Sequence, residues 1–218
     1  MATSGGERRG ALRVLAVLAI VGVADYLLIV AALHFLRPDV NPVVEPISNY
    51  GVGPYGFLLI AAELGSAVAA LALTLGLSLG MVAPARSYLG LLFLGLYGVS
   101  KLLQSLFPID VGAEATLSGT IHNILGQLAF FGFPLAVILL SLSMGKDERW
   151  RSFWRPALVV SFAVVLTDVL TIIGSNIGLF GVTQRLATVT AMLWMLLVGL
   201  RLRSMTQRAL ARQASRVR

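Results

Sequence analysis

Cysteine is absent from all 218 residues, which excludes disulfides and thiolate metal sites and leaves the redox compartment open. Charge is nearly as scarce. Asp, Glu, Lys and Arg make up 12% of the chain against 57% hydrophobic residues, and the mean hydropathy is +0.87. Too few polar residues remain to cover a soluble globule, so lipid must be the main solvent. No phosphate-binding loop, G-x-S-x-G elbow or dinucleotide fingerprint occurs. The only two histidines, His34 and His122, form no HxxxH or HExxH spacing. The basic residues flank apolar runs and carry no interleaved aromatic pattern, which speaks against nucleic acid as a partner.

Long apolar runs are what the chain does have. They fall near Val14–Leu36, Tyr55–Val82, Tyr88–Phe107, Thr120–Met144, Pro156–Gly178 and Thr183–Leu200. About 20 apolar residues at roughly 1.5 Å each span a hydrocarbon core about 30 Å thick. Strands of a membrane barrel would alternate, whereas LLIAAELGSAVAALALTLGLSLG stays apolar throughout. The fold class expected is therefore all-α, a polytopic integral membrane bundle of six transmembrane helices. Residues 1–13 read as a basic N-terminus, 14–203 as one transmembrane domain and 204–218 as a basic tail. The N-terminus imitates a signal peptide, but its apolar stretch runs on to Leu36 and contains Asp25, which predicts a retained first helix.

Basic residues near helix ends mark the cytoplasmic side. One set of ends collects 14 of them, among them Arg13, Arg86, Lys146, Arg149 and Arg203; the other has only Arg37 and Arg185, beside Asp39, Glu45, Asp110 and Glu114. This predicts both termini in the cytoplasm, the acidic loops outside and residence in the plasma (inner) membrane. In the tail, Arg208, Arg212 and Arg216 recur every four residues and would form a basic stripe suited to anionic head groups if the last helix continues; a partly disordered topogenic tail is the plainer reading.

The first outer loop, HFLRPDVNPVVEPISNYGVGPYGF, is rich in proline, glycine and asparagine and so predicts a shaped loop. The pairing of P-I-S-N-Y-G at 46–51 with F-P-I-D at 107–110 and a downstream His122 resembles the prokaryotic membrane family known as domain of unknown function 998. The resemblance covers nearly the whole chain and implies a six-helix membrane protein without an assigned activity. It carries over to Ser48, Gly51, Phe107, Pro108, Asp110 and His122, with Asn49 standing where an aspartate is expected. An Ile-Ser followed by Gly and Pro ahead of a helix, with a His opening a later helix, is also similar to the eukaryotic Frag1, DRAM and Sfk1 group. That likeness implies a link to lipid remodelling or lipid distribution.

Four formal charges, Asp25, Glu63, Lys101 and Asp168, lie inside the runs. Each would cost roughly 2.5 to 3.5 kcal/mol on insertion scales without a partner, a wet cavity or a proton. Counting residues places Glu63 and Lys101 at matching depth on consecutive antiparallel helices, which predicts an ion pair, with Gln104 one turn from Lys101. Asp25 and Asp168 fall near the midplane as candidate proton-binding carboxylates, or as neutral hydrogen-bond donors. Ser161, Thr171 and Ser175 share the Asp168 face of their helix. Small residues every four positions (Ala62, Ser66, Ala70, Thr74, Ser78), and the pairs Gly76/Gly80 and Gly174/Gly178, predict close helix packing.

Together these residues predict a non-enzymatic membrane protein that binds a lipid or small amphiphile in an outward-opening polar cavity and transports or presents it. Glu45, Ser48, Asn49, Glu63, Lys101, Gln104, Asp110, His122, Asn123 and Arg185 are its candidate binding residues. No cofactor is required, and the oligomeric state is left open. One alternative is a membrane-embedded hydrolase with an outer metal at His34, His122, Glu45 and Asp110; the same two imidazoles would also suit haem. Another is an assembly partner without its own ligand.

Overall fold

Apolar residues on every face of a long segment leave a helix as the only way to satisfy backbone polar groups in lipid. The computed structural model describes the backbone of residues 3–112 and 114–217, and side chains from 5–112 and 114–207. Among the described residues it contains six α-helices and no strand: α1 Thr3–Leu36, α2 Gly56–Gly80, α3 Tyr88–Gln104, α4 Leu117–Met144, α5 Trp154–Asn176 and α6 Phe180–Val217. Five are long and apolar enough to cross a membrane. The sixth, α3, has 17 residues and is therefore about 25 Å long, a little short of a hydrocarbon core.

Helix ends differ from expectation where capping chemistry intervenes. The start of α4 moves back to Leu117 because Thr116 accepts a hydrogen bond from Gly119 N at 3.1 Å. Backbone helix also reaches further into both termini than the apolar runs do, from Thr3 in α1 and through Val217 in α6. The side chains of Arg208, Arg212 and Arg216 lie outside the described residues.

Each helix packs on the next in chain order and α6 closes on α1. The α1–α2 crossing is tight, since a Cβ at Gly65 would lie 2.5 Å from Asp25 Oδ2 and 2.9 Å from Gly22 O. The small-residue stripe of α2 serves internal packing: Ala62, Ser66 and Ala70 are buried, and a Cβ at Gly76 would strike Leu202 of α6. Further along the bundle, Trp194 Nε1 of α6 donates to Ser141 Oγ of α4 at 3.0 Å, and Ser141 Oγ lies 2.9 Å from Ser161 Oγ of α5. Ser161 also donates to Val137 O at 3.0 Å. This buried knot joins three helices and draws Ser161 away from the rest of its polar stripe.

The basic end is stitched as well as charged. Asp147, 2% exposed, accepts from Val82 N at 3.0 Å and pairs with Arg149 at 2.7 Å, while Arg149 also donates to Gly80 O at 2.7 Å. Burial pushes the Asp147 carboxyl up, but Arg149 and the backbone donors outweigh it and hold the group below its ordinary value. Arg8 and Arg201 donate to Leu79 O and Arg149 O. The arginines, counted above only for topology, also bond the helix ends together.

Candidate functional site: a cavity beneath the loop end

The opposite end carries the long loop between α1 and α2, and two arginines shape it. Arg37, 6% exposed, donates to the carbonyls of Tyr50 at 3.3 Å, Val52 at 2.8 Å and Pro54 at 2.9 Å, and forks onto Asp39. Its hydrogen bonds hold the Asp39 carboxyl below the ordinary value. The turn they enclose includes Gly53 at φ 89° and Tyr55 at φ 62°, a left-handed conformation that a tyrosine adopts only when its surroundings hold it there.

Arg185 of α6 is the second clamp. It donates to His34 Nε2 at 2.8 Å, Glu45 O at 2.8 Å and Tyr50 Oη at 3.2 Å, with the guanidinium over the Tyr50 ring. Because His34 Nε2 accepts from a guanidinium, its proton sits on Nδ1, which donates to Val30 O at 2.7 Å. Glu45 is occupied too: its carboxylate takes Asn41 N at 2.6 Å and Asn49 Nδ2 at 2.9 Å. Glu45, Asn49 and Arg185, expected as ligand-binding residues, are thus bonded into the loop and stand outside the cavity lining.

Asp110 closes the second loop by accepting from Thr116 N at 2.8 Å and Thr116 Oγ1 at 2.6 Å. Those bonds hold its carboxyl below the ordinary value. His122 points its Nδ1 proton at Phe107 O, 2.8 Å away, while His34 Nε2 and the Glu45 and Asp110 carboxylates already accept hydrogen bonds. Among the described residues no group of three or more His, Asp or Glu could hold a metal ion.

Below these loops lies a cavity of about 800 Å³, bordered by residues of all six helices. It brings together seven of the sequence-derived candidates: Ser48, Glu63, Lys101, Gln104, His122, Asn123 and Asp168. The expected ion pair is formed, with Lys101 Nζ 2.8 Å from Glu63 Oε2. Gln104 accepts from Lys101 at 3.3 Å and donates to His122 O at 3.2 Å, linking α2, α3 and α4 in one polar chain. Thr171 and Ser175 join Asp168 on the cavity wall as their helical spacing predicts. Asp25 does not join them, since it lies half-buried in the α1–α2 seam against Gly65.

Tyr26, Tyr97, Gln127, Gln184 and Thr188 complete the polar lining and were not singled out from sequence. Tyr97 Oη lies 3.1 Å from Ser66 Oγ, and Gln184 Oε1 accepts from Ile47 N at 2.9 Å, which pins the loop as a roof. Counting at helical spacing would have flagged Gln127 and Tyr97, one turn from Asn123 and Lys101 respectively. The exposed lining residues, Asn123, Gln127 and Phe131 on α4 with Ile172 and Ser175 on α5, all border one seam. The cavity consequently opens sideways between α4 and α5, beneath a roofed loop end.

A family model described as a protein of unknown function (DUF998) matches residues 9–201. The chain belongs to the DUF998 family. The match covers α1 to α6 and so includes both arginine clamps, the ion pair and the cavity. No curated protein matches the chain, and no solved structure does. These comparisons lend no support to the likeness to the Frag1, DRAM and Sfk1 group.

Proposed function

We infer that this DUF998 protein binds a lipid or small amphiphile in the cavity under its loop end, in order to present it or move it across the plasma membrane. The observation carrying this reading is the cavity itself, about 800 Å³ and lined both by a charged pair, two tyrosines and several amides and by the rings of Phe130, Phe131, Phe133 and Phe180. An amphiphile needs both surfaces. The sideways mouth supports entry from the bilayer, and the basic residues at the far end support an orientation with the roof outside the cell. Asp168, set on the cavity wall, is the carboxylate suited to take up a proton during such movement.

Native mass spectrometry of protein purified in mild detergent tests the reading. A Cβ at Gly126 would meet only Gln104 Nε2, at 3.0 Å, so Gly126→Phe fills the cavity it lines by shifting that flexible amide from His122 O. Wild-type protein should retain a bound amphiphile, and the filled variant should lose it while still unfolding as a cooperative, folded protein. Retention by Gly126→Phe would overturn the assignment of the cavity as the site.

A further inference from the structure

The mouth of the cavity carries polar side chains that the fold leaves unanswered. Asn123 and Gln127 stand one turn apart on α4, both exposed and both on the lining; Asp168 lines the cavity from α5 and is half-buried. Among the described residues none of the three has a hydrogen-bond or ion-pair partner. Gln127 lies ten residues from the start of α4 and Asp168 eight from the end of α5, which places them about 15 Å and 12 Å below the loop end. Unpartnered amides and a carboxylate at hydrocarbon depth demand water or a ligand.

The seam explains why they stay unpartnered. The α4–α5 hydrogen bonds, through Ser141, Ser161 and Val137 O, all lie toward the basic end. Between them and the mouth, Pro134 removes one N–H from the α4 ladder and favours a bend there. Beyond it one lining residue of each helix, Phe131 of α4 at 58% and Ile172 of α5 at 48%, is exposed.

Charge selects among amphiphiles. The lining holds Glu63, Lys101 and Asp168, and Lys101 is already neutralised by Glu63 at 2.8 Å. One carboxylate, Asp168, therefore remains without a cation beside it. An ammonium group offers three donors and no acceptor, which matches a carboxylate and two amide oxygens. Phe130 and Phe131 line the same mouth, and aromatic rings attract a cation. A phosphate or sulfate head would meet Asp168 without an available counter-charge.

We propose that the α4–α5 mouth binds the ammonium head of an amphiphile, with Asp168 as counter-ion, Asn123 and Gln127 as hydrogen-bond acceptors, and the chain leaving sideways between Phe131 and Ile172. The proposal rests on the amphiphile reading above and narrows its substrate class. A single-chain amine and the amino head of a phospholipid share this chemistry.

The test titrates full-length protein in a neutral maltoside detergent with dodecylamine, dodecanol and dodecyl sulfate at neutral pH, following binding by calorimetry. Dodecylamine should bind at least about tenfold more tightly than dodecanol, and dodecyl sulfate more weakly than either. Asp168→Asn should abolish that preference while dodecanol still binds, which also reports a folded variant; Gln127→Leu, at the exposed mouth, should weaken dodecylamine severalfold. Nanodiscs then separate the sources: selective retention of phosphatidylethanolamine over phosphatidylcholine supports a phospholipid head, and dodecylamine selectivity without it supports a single-chain amine. Equal affinity for amine and alcohol, both lost in Gly126→Phe, overturns the ammonium assignment while the cavity reading stands. Binding of none of the three probes overturns the cavity reading and this proposal with it.

Discussion

Separating Glu63 from Lys101 should be the most damaging polar change available in the transmembrane region. Their side chains are 10% and 17% exposed and 2.8 Å apart, and among the described residues the only other hydrogen bond Lys101 Nζ donates goes to Gln104 Oε1 at 3.3 Å. Replacing one member leaves the other charge at hydrocarbon depth, a loss on the order of 3 to 5 kcal/mol. For a chain of this length each kcal/mol moves the midpoint by about 2 to 4 °C, so Glu63→Gln or Lys101→Met should lower it by roughly 6 to 20 °C. Gln104 can cushion a stranded Lys101 but offers Glu63 only an amide already committed to His122 O, so Lys101→Met should be the worse of the two. The double variant removes both charges and should recover part of the loss. Thermal unfolding in detergent, followed by circular dichroism for all four proteins, gives the coupling directly. Additive losses in the double variant would refute the pairing.

Arg37→Ala should destabilise the first loop by on the order of 3 kcal/mol, because it strands carbonyls of Tyr50, Val52 and Pro54, each worth about 1 to 3 kcal/mol when left buried. Arg37→Lys should restore less than half, since an ammonium cannot reproduce the planar fork, and melting midpoints of the three proteins check this. Asp110 is held ionised by its bonds to Thr116, so its support of the α4 start should be complete above the usual carboxylate range near pH 4 and fade as pH falls through its lowered value. Amide exchange at residues 117–120 should accelerate on that descent in the wild type and be fast at every pH in Asp110→Ala. Reporter fusions after Arg86, after Trp150 and at Arg218 should give the cytoplasmic signal and fusions near Asn41 and Glu114 the external one; any exchanged pair contradicts the orientation inferred from basic residues.

Some of this architecture was legible because it depends on position along one dimension. Hydropathy gives the number of helices, and rise per residue gives depth, which was enough to match Glu63 with Lys101 before any packing was known. Helical spacing likewise placed Thr171 and Ser175 on the face of Asp168. The scarcity of arginine at the loop end was legible as a topological signal. That both of its arginines act as clamps was not, because the carbonyls they hold come from the loop backbone and carry no mark in the residue letters.

What the chain could not declare by itself was which way each helix is turned. A residue's neighbours change with about 100° of rotation per step, and that rotation is set only when six helices close into a ring. Ring closure sent Asp25 to the α1–α2 seam and Asp168 to the cavity, although both sit at similar depth in apolar sequence. It also spent His34, Glu45, Asn49 and Arg185 on holding the loop, and brought in Tyr26, Tyr97, Gln127 and Gln184 as lining. The sideways mouth is the most purely tertiary feature, since α4 and α5 are bonded toward one end and carry exposed lining residues toward the other. Sequence alone determined that a polar site lies within a membrane and near which depth; the packing of one helix against the next determined which groups share it and from which side a ligand would reach them.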